Sequence, residues 1–409
     1  MVVGSKRLWT PDPGLRTVAM TPRDHSGWFI VLAAILAIAS SVNLQMPLYS
    51  QYAASANFGN TGRALLFAAY ILGLVPTLAF AGGASDVLGR RPVVLLAIIC
   101  AAAPTLALII WPDVYVLLGG RLFQGMAVAL GLGSATAWLT ERLADPLRAA
   151  WWSSFATAAA FGGGGLITTF AVATAGPGLT PWSYHLGFIA LVLVGILLWR
   201  VPGGIGGSGG RWLRLPTFPP GTRLFTLGNA ICWSVSGIIL AQGPAAFVAA
   251  GIPTGAGIGV FVLCGTGAAV QLLPRLRPSD PWMGMLLGAC CSTLGLVLFD
   301  LGVRTANPLL LFGGCAAAGA AGFGFMYLAG LTKVNAAAGD RRAAAVSGYL
   351  LCSYVGFGGP CLLMGWLADK IGEATALTWG VGVVVVAFTT LLLVVRARPT
   401  PAVVTHPPG

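Results

Sequence analysis

The sequence predicts an all-α polytopic membrane protein of twelve transmembrane helices, arranged as two six-helix, pseudo-symmetric halves. Three observations predict it. The 409 residues are 57% hydrophobic and only 8% charged, against about 25% charged in ordinary soluble domains, and mean hydropathy is +0.85. Basic residues alternate between the two sides of the predicted spans. Short motifs recur at a spacing of about half the chain.

Residues 1–26 carry Lys6, Arg7, Arg16 and Arg23 with prolines and aspartates and no apolar core. They read as a cytoplasmic tail rather than a cleaved signal peptide. A span needs about 20 apolar residues. That ruler gives 27–49, 62–82, 92–111, 115–139, 149–173 and 183–200 in the first half, then 224–249, 254–274, 282–303, 308–332, 343–366 and 375–395 in the second. The Gly- and Pro-rich stretch 201–223 is the predicted cytoplasmic linker, and 396–409 a short cytoplasmic C-terminal tail.

The positive-inside rule tests this count. With the N-terminus inside, 19 basic residues fall in inside segments, while Arg63, Arg304 and Lys370 fall outside and Arg121 lies within span four. A missed or extra helix would scramble that alternation. Both termini are therefore expected in the cytoplasm. The excess of Arg over Lys, with many Ala and Gly, suggests a high-GC bacterial genome and hence an inner-membrane location.

The repeat supports two parallel halves. Gln45-Met46-Pro47 matches Gln242-Gly243-Pro244, Thr61-Gly62 matches Thr254-Gly255, and Ser85-Asp86 matches Ser279-Asp280. Gly125 matches Gly319, and Arg148-Ala149-Ala150 matches Arg342-Ala343-Ala344, all at offsets of 193 to 197 residues.

Two stretches carry most of the chemistry. Gly82-Gly83-Ala84-Ser85-Asp86-Val87-Leu88-Gly89-Arg90-Arg91 is a polar turn between spans two and three. Asp86 and Arg90 share one face if it is helical, and Gly82 and Gly89 allow a sharp turn. In span four, Gly120-Arg121-Leu122-Phe123-Gln124-Gly125 puts an arginine inside the hydrocarbon. Such a charge must face the bundle interior or water. Asp113 is too far along the helix to pair with it directly. Arg121 is then either a structural arginine bonded to backbone carbonyls of neighbouring helices, or a cavity-facing charge that binds substrate or tunes a proton site.

These stretches resemble the major facilitator superfamily of transporters. Gly82, Asp86, Gly89, Arg90 and Arg91 match its first-loop signature, with Ala84, Ser85 and Val87 departing from it; Arg121, Gln124 and Gly125 match its R-x-x-Q-G signature. The resemblance implies alternating access by rocking of the halves. It also implies a cytoplasmic charge network of Asp86 and Arg90 with Glu141, Arg148 and the end of span eleven, stabilising the outward-facing state. Span five, Phe161-Gly162-Gly163-Gly164-Gly165, is glycine-rich but lacks the proline of the export branch; span eleven has Gly358-Gly359-Pro360. A second copy of the first-loop pattern, Gly365 to Gly372, falls outside and reads as a helix-ending turn with little weight on function. Cys315 stands where span ten would mirror Arg121.

A cavity lined by spans one, four, seven and ten would draw on Asn43, Gln45, Arg121, Gln124, Gly125, Asn229, Trp233, Ser236, Gln242 and Tyr327, with Tyr354 approaching from span eleven. Each could equally pack polar groups between helices. Aromatic groups among small residues suit a partly apolar organic substrate. Asp86, Glu141 and Asp300 are the titratable candidates, and His185 reads as structural. The eight cysteines lie in apolar runs, with no disulfide framework and no metal spacing. No nucleophile–base constellation or phosphate loop appears, so an enzyme is not expected, and no catalytic residue, cofactor or metal is assigned. The expectation is a monomeric secondary transporter in the lipid bilayer. It would export a small amphipathic molecule, a drug or metabolite, as an antiporter using protons. An importer or facilitator in the same fold is the alternative, and a non-transporting membrane sensor a lesser one. The scattered basic residues form no nucleic-acid patch.

Overall fold

The computed structural model describes residues 27–203, 216–273, 276, 278 and 280–396. The predicted N-terminal tail, residues 397–409 of the predicted C-terminal tail, the middle of the linker and Ser279 lie outside them. Among the described residues the regular structure is all helical. Among the described residues eleven helices are long and apolar enough to cross a membrane, and Trp182–Leu198 is a shorter apolar twelfth.

The first half comprises α1 (Trp28–Asn43), α2 (Tyr49–Ser55), α3 (Asn60–Ala81), α4 (Ala84–Leu88), α5 (Arg90–Ile110), α6 (Val114–Leu143), α7 (Pro146–Ala175) and α8 (Trp182–Leu198). The second comprises α9 (Arg223–Ala249), α10 (Gly255–Leu272), α11 (Pro281–Thr305), α12 (Pro308–Gly319), α13 (Met326–Ala337), α14 (Arg342–Ile371) and α15 (Glu373–Arg396). The chain crosses back and forth, so Gly27, the α4 turn and Arg396 share one end of the bundle. We call that end the near face and the opposite one the far face.

Two predicted spans are not single α-helices. The first breaks after Asn43 and resumes through a 3₁₀ turn, Met46–Leu48, into α2. Pro47 causes the break, because it has no N–H to donate to the carbonyl of Asn43. The tenth widens into a π-helical segment, Ala320–Phe325, between α12 and α13. Such segments in α-helices often mark functional sites.

Helix starts follow local chemistry. The side chains of Asp113, Asp145, Asp280 and Asn307 accept from first-turn N–H groups of α6, α7, α11 and α12, satisfying donors that would otherwise be orphaned. Close helix packing depends on small residues. A Cβ on Gly125 would lie 2.0 Å from the carbonyl oxygen of Tyr70, and one on Gly73 2.0 Å from that of Leu122, so the two glycines let α3 and α6 touch backbone to backbone.

The halves meet along two seams, α3 against α14 and α7 against α10. The contacts lie from mid-bundle to the far face. Phe67 meets Phe357 edge-on at 4.9 Å, and a Cβ on Gly358 would meet Ile71. Thr169 Oγ1 donates to the carbonyl of Thr254, and the Cα of Gly257 lies against Gly165.

Candidate functional site

At the near face, Arg90 is the centre of the signature turn. Its Nη1 donates to Asp86 Oδ1 at 2.7 Å and to Ser85 Oγ at 2.7 Å, and its Nε donates to Glu141 Oε1 at 2.9 Å. All three side chains of the ion pairs are half-buried, where charge-assisted bonds are stronger than in water. Asp86 and Arg90 are four residues apart, as the spacing predicts, but Gly89 lies between them with φ +92° and separates α4 from α5. Gly82 stays helical at φ −61°, so only Gly89 uses the conformational freedom expected of both.

The partners of Arg90 all belong to the first half. Arg91 turns the other way. Its Nη1 donates to the carbonyls of Trp199 at 3.2 Å and Val201 at 3.5 Å, and its guanidinium lies over the Trp199 ring. Arg142 donates to the carbonyl of Pro202. These two arginines fasten the start of the linker to the turn and to the end of α6. Arg148 stands apart: its side chain is exposed, and its backbone N–H is taken by Asp145.

Arg121 is 1% exposed. Its Nη1 donates to the carbonyl of Val42 at 2.6 Å and to Gln124 Oε1 at 2.7 Å, and its Nε donates to the carbonyl of Leu66 at 3.2 Å. Gln124 Nε2 donates to the carbonyl of Ser41 at 3.3 Å. Ser41 and Val42 stand in the last turn of α1, whose carbonyls lose their helical donors at the break. The Arg121–Gln124 pair therefore caps the broken first span from α6, and a positive charge there suits the negative end of the helix dipole. The guanidinium also sits over Tyr70 at 5.0 Å and Tyr49 at 5.7 Å. Asp113 is occupied at the α6 N-terminus, away from Arg121.

The rest of the break is held less completely. Asn43 Nδ2 donates to the carbonyl of Phe161 in α7 at 2.7 Å. Gln45 is wholly buried, yet neither amide atom has a partner among the described residues. Its repeat-mate Gln242, in α9, is also buried and its Oε1 is unpaired among the described residues.

In the second half, Trp233 is the centre. Its indole N–H donates to the carbonyl of Gly322, inside the π-helical segment, at 2.7 Å. Gln271 takes the neighbouring carbonyl, that of Phe323, at 2.6 Å. The Trp233 ring is surrounded by Phe323 at 5.0 Å, Tyr354 at 5.0 Å, Phe357 at 5.5 Å and Tyr327 at 6.4 Å. Phe357 in turn touches Phe67 of the first half. The aromatic cluster thus stands at the point where the inter-half seam closes. Asn229 and Ser236 are buried one turn away from it on either side; Asn229 Nδ2 donates to Ser353 Oγ at 2.7 Å, and Ser236 Oγ to the carbonyls of Cys232 and Ala318.

Sequence reasoning named Trp233, Tyr327 and Tyr354 but missed Phe67, Phe323 and Phe357. A phenylalanine in a span carries no signal of its own; only the π-helical segment and the seam bring these rings together. Gly365 to Gly372 ends α14 as expected, with Gly372 at φ +87° closing the helix. Asp369 in that stretch reaches across to α3 and hydrogen-bonds its first turn. Asp300 is paired with Arg304 at the far end of α11. Among the described residues no group of His, Cys, Asp and Glu is arranged to hold a metal ion.

Comparison with known proteins agrees with this architecture. Residues 29–360 match the family model of the Major Facilitator Superfamily. The structure resembles a point mutant of the nucleoside transporter NupG, with a TM-score of 0.72 at 14% identity, covering 89% of this chain and 98% of that one. It resembles the xylose transporter XylE from E. coli in its inward open conformation, with a TM-score of 0.69 at 14% identity, covering 92% and 97%. The human organic anion transporter MFSD10 is similar at a TM-score of 0.59 and 14% identity, covering 91% and 100%. No curated protein matches the sequence significantly. With signatures, twelve-helix fold and structural neighbours in agreement, this chain is a multi-pass membrane transporter rather than an enzyme, and it belongs to the Major Facilitator Superfamily.

Proposed function

We propose that this chain works by alternating access as a secondary transporter that exports a small amphipathic organic molecule in exchange for protons. The observation that carries the substrate reading is the aromatic cluster around Trp233, which stands where the halves meet through Phe67 and Phe357. Aromatic faces with few polar groups suit a partly apolar ligand. Arg121 adds a preference. It is the one buried cation among the described residues, and carbonyls and an amide, not a carboxylate, surround it. A buried positive charge with no carboxylate beside it favours an anionic group on the substrate. The unpaired amide atoms of Gln45 and Gln242 supply hydrogen-bonding positions on opposite halves.

In this reading the near face is cytoplasmic, the seam contacts close the far side, and the cavity opens to the cytoplasm. The Asp86–Arg90–Glu141 cluster is the cytoplasmic gating region. Export is favoured by the glycine-rich α7 at the α10 seam and by Gly358-Gly359-Pro360 in α14. A facilitator that ignores protons is the second reading. It is favoured by the placement of the described carboxylates, which sit in turns or near helix ends.

Purified protein in liposomes, with imposed pH gradients of either sign and a panel of labelled organic anions and neutral amphiphiles, separates the two. Substrate movement opposite to protons is expected. Movement that ignores both gradients would leave the facilitator, and no movement of any amphiphile would overturn the substrate class.

A further inference from the structure

The far-face end of α14 carries a built connection between the halves. Asp369 Oδ1 accepts from the backbone N–H of Asn60 at 2.7 Å and from its side-chain Nδ2 at 2.9 Å. Asp369 Oδ2 accepts from the backbone N–H of Thr61 at 2.9 Å and from its hydroxyl at 2.5 Å. One carboxylate from the second half thus caps the first turn of α3 in the first half, where no residue of the first half does so: the N-cap of α3 is Gly59, which has no side chain to offer. Orphan N–H groups and the positive end of the helix dipole both favour an anion at this position.

The surroundings are shaped for that carboxylate. A Cβ on Gly59 would stand 2.7 Å from Asp369 Oδ1, although the backbone there (φ −75°) would accept any residue. One turn below, a Cβ on Gly365 would stand 2.6 Å from Ala64 Cβ and 2.7 Å from the carbonyl oxygen of Asn60. Beside it, Arg63 of α3 faces Glu373 of α15 at 3.9 Å. Gly358, Cys361, Gly365 and Asp369 follow one another at spacings of three and four, so they form one stripe along α14. Three of the four touch α3, and Cys361, between them, is wholly buried.

We propose that Asp369 is the far-face gating residue: its carboxylate latches the two halves together by capping α3, and releasing it opens the cavity to the far side. The inference rests on the alternating-access reading. It gives Gly365 to Gly372, the second copy of the turn pattern, a function at the opposite face from the first. The first copy bonds its aspartate to Arg90; the second carries its aspartate across the seam to α3.

The native Cys361 reports the opening, because it lies about 12 Å below Asp369 along the helix. Full-length protein is reacted with a hydrophilic maleimide, and alkylation at Cys361 is read by mass spectrometry. Cys361 of the parent protein should be protected. Asp369→Ala should raise its alkylation rate about ten-fold, the population change expected when one charged latch is lost. Asn60→Pro should do the same without touching Asp369: it deletes two of the four donors, at the first helical position, where proline is tolerated. Gly59→Ala should act in the same direction by steric displacement of the carboxylate. Gly365→Trp, a wedge in the seam, calibrates the assay. If the wedge exposes Cys361 while the Asp369 and Asn60 variants, folded by size-exclusion and circular dichroism, leave it protected, the seam opens but Asp369 is not its latch. If no variant exposes Cys361, the latch and the alternating-access reading both fail.

Discussion

The capping of the first span by Arg121 and Gln124 makes a quantitative prediction through Arg121→Lys. The substitution keeps the charge, so the cost of burying a cation in the membrane, roughly 2.5–3.5 kcal/mol on insertion scales, stays nearly constant. What changes is geometry. Arg121 reaches the carbonyls of Val42 and Leu66 and the amide of Gln124 through two separate nitrogens. A lysine has one nitrogen on a shorter stem and no plane to lay over Tyr70. It can keep the bonds near one position and must give up the other. A hydrogen bond to a charged group contributes about 1.5–3 kcal/mol net, so the expected loss is about 2 kcal/mol.

Gln124→Leu removes the bonds to Arg121 and to the carbonyl of Ser41 and should cost about 1–3 kcal/mol. The double variant should cost less than the sum, because both single changes break the same Arg121–Gln124 bond. Reversible unfolding in mixed detergent micelles, followed by circular dichroism, measures all three. Sub-additive losses of this size are expected. An Arg121→Lys protein as stable as the parent, or an Arg121→Met protein more stable than it, would refute the cap, since the desolvation cost of the charge would then exceed everything its bonds return.

Two further outcomes follow from particular contacts. Gly125→Ala forces a Cβ to within 2.0 Å of the Tyr70 carbonyl oxygen and should destabilise the protein by about 1–3 kcal/mol as an overpacking change; Gly119→Ala, where a Cβ meets nothing within 4 Å, should be neutral in the same micellar unfolding assay. Asp86→Asn weakens one of the two ion pairs of Arg90 and should slow or abolish transport in proteoliposomes while membrane insertion, read by yield of monodisperse protein, is unchanged; normal transport would remove the turn from the gating machinery.

The break in the first span shows how far local chemistry reads. Pro47 and the polar run Asn43 to Gln45 are visible in the sequence, and the R-x-x-Q-G run marks span four as special. Nothing local says that the second run caps the first, because the bond is between helices 79 residues apart in the chain. The same holds for Asp369, which looks like one more helix-ending residue until α3 is placed beside it.

The helices themselves were determined by the sequence alone. Each span must satisfy its backbone internally in hydrocarbon, so length and apolarity are sufficient to find it. Gly89 was legible for a related reason: its positive φ is a local constraint that few other residues meet. Tertiary structure alone decided which buried polar groups meet. It sent Arg121 to orphan carbonyls of α1, gathered Phe67, Phe323 and Phe357 around Trp233, and put the cap of α3 on the opposite half. Those choices depend on which faces of distant helices touch, and in a chain where nearly every face is apolar, hydrophobic periodicity does not encode them.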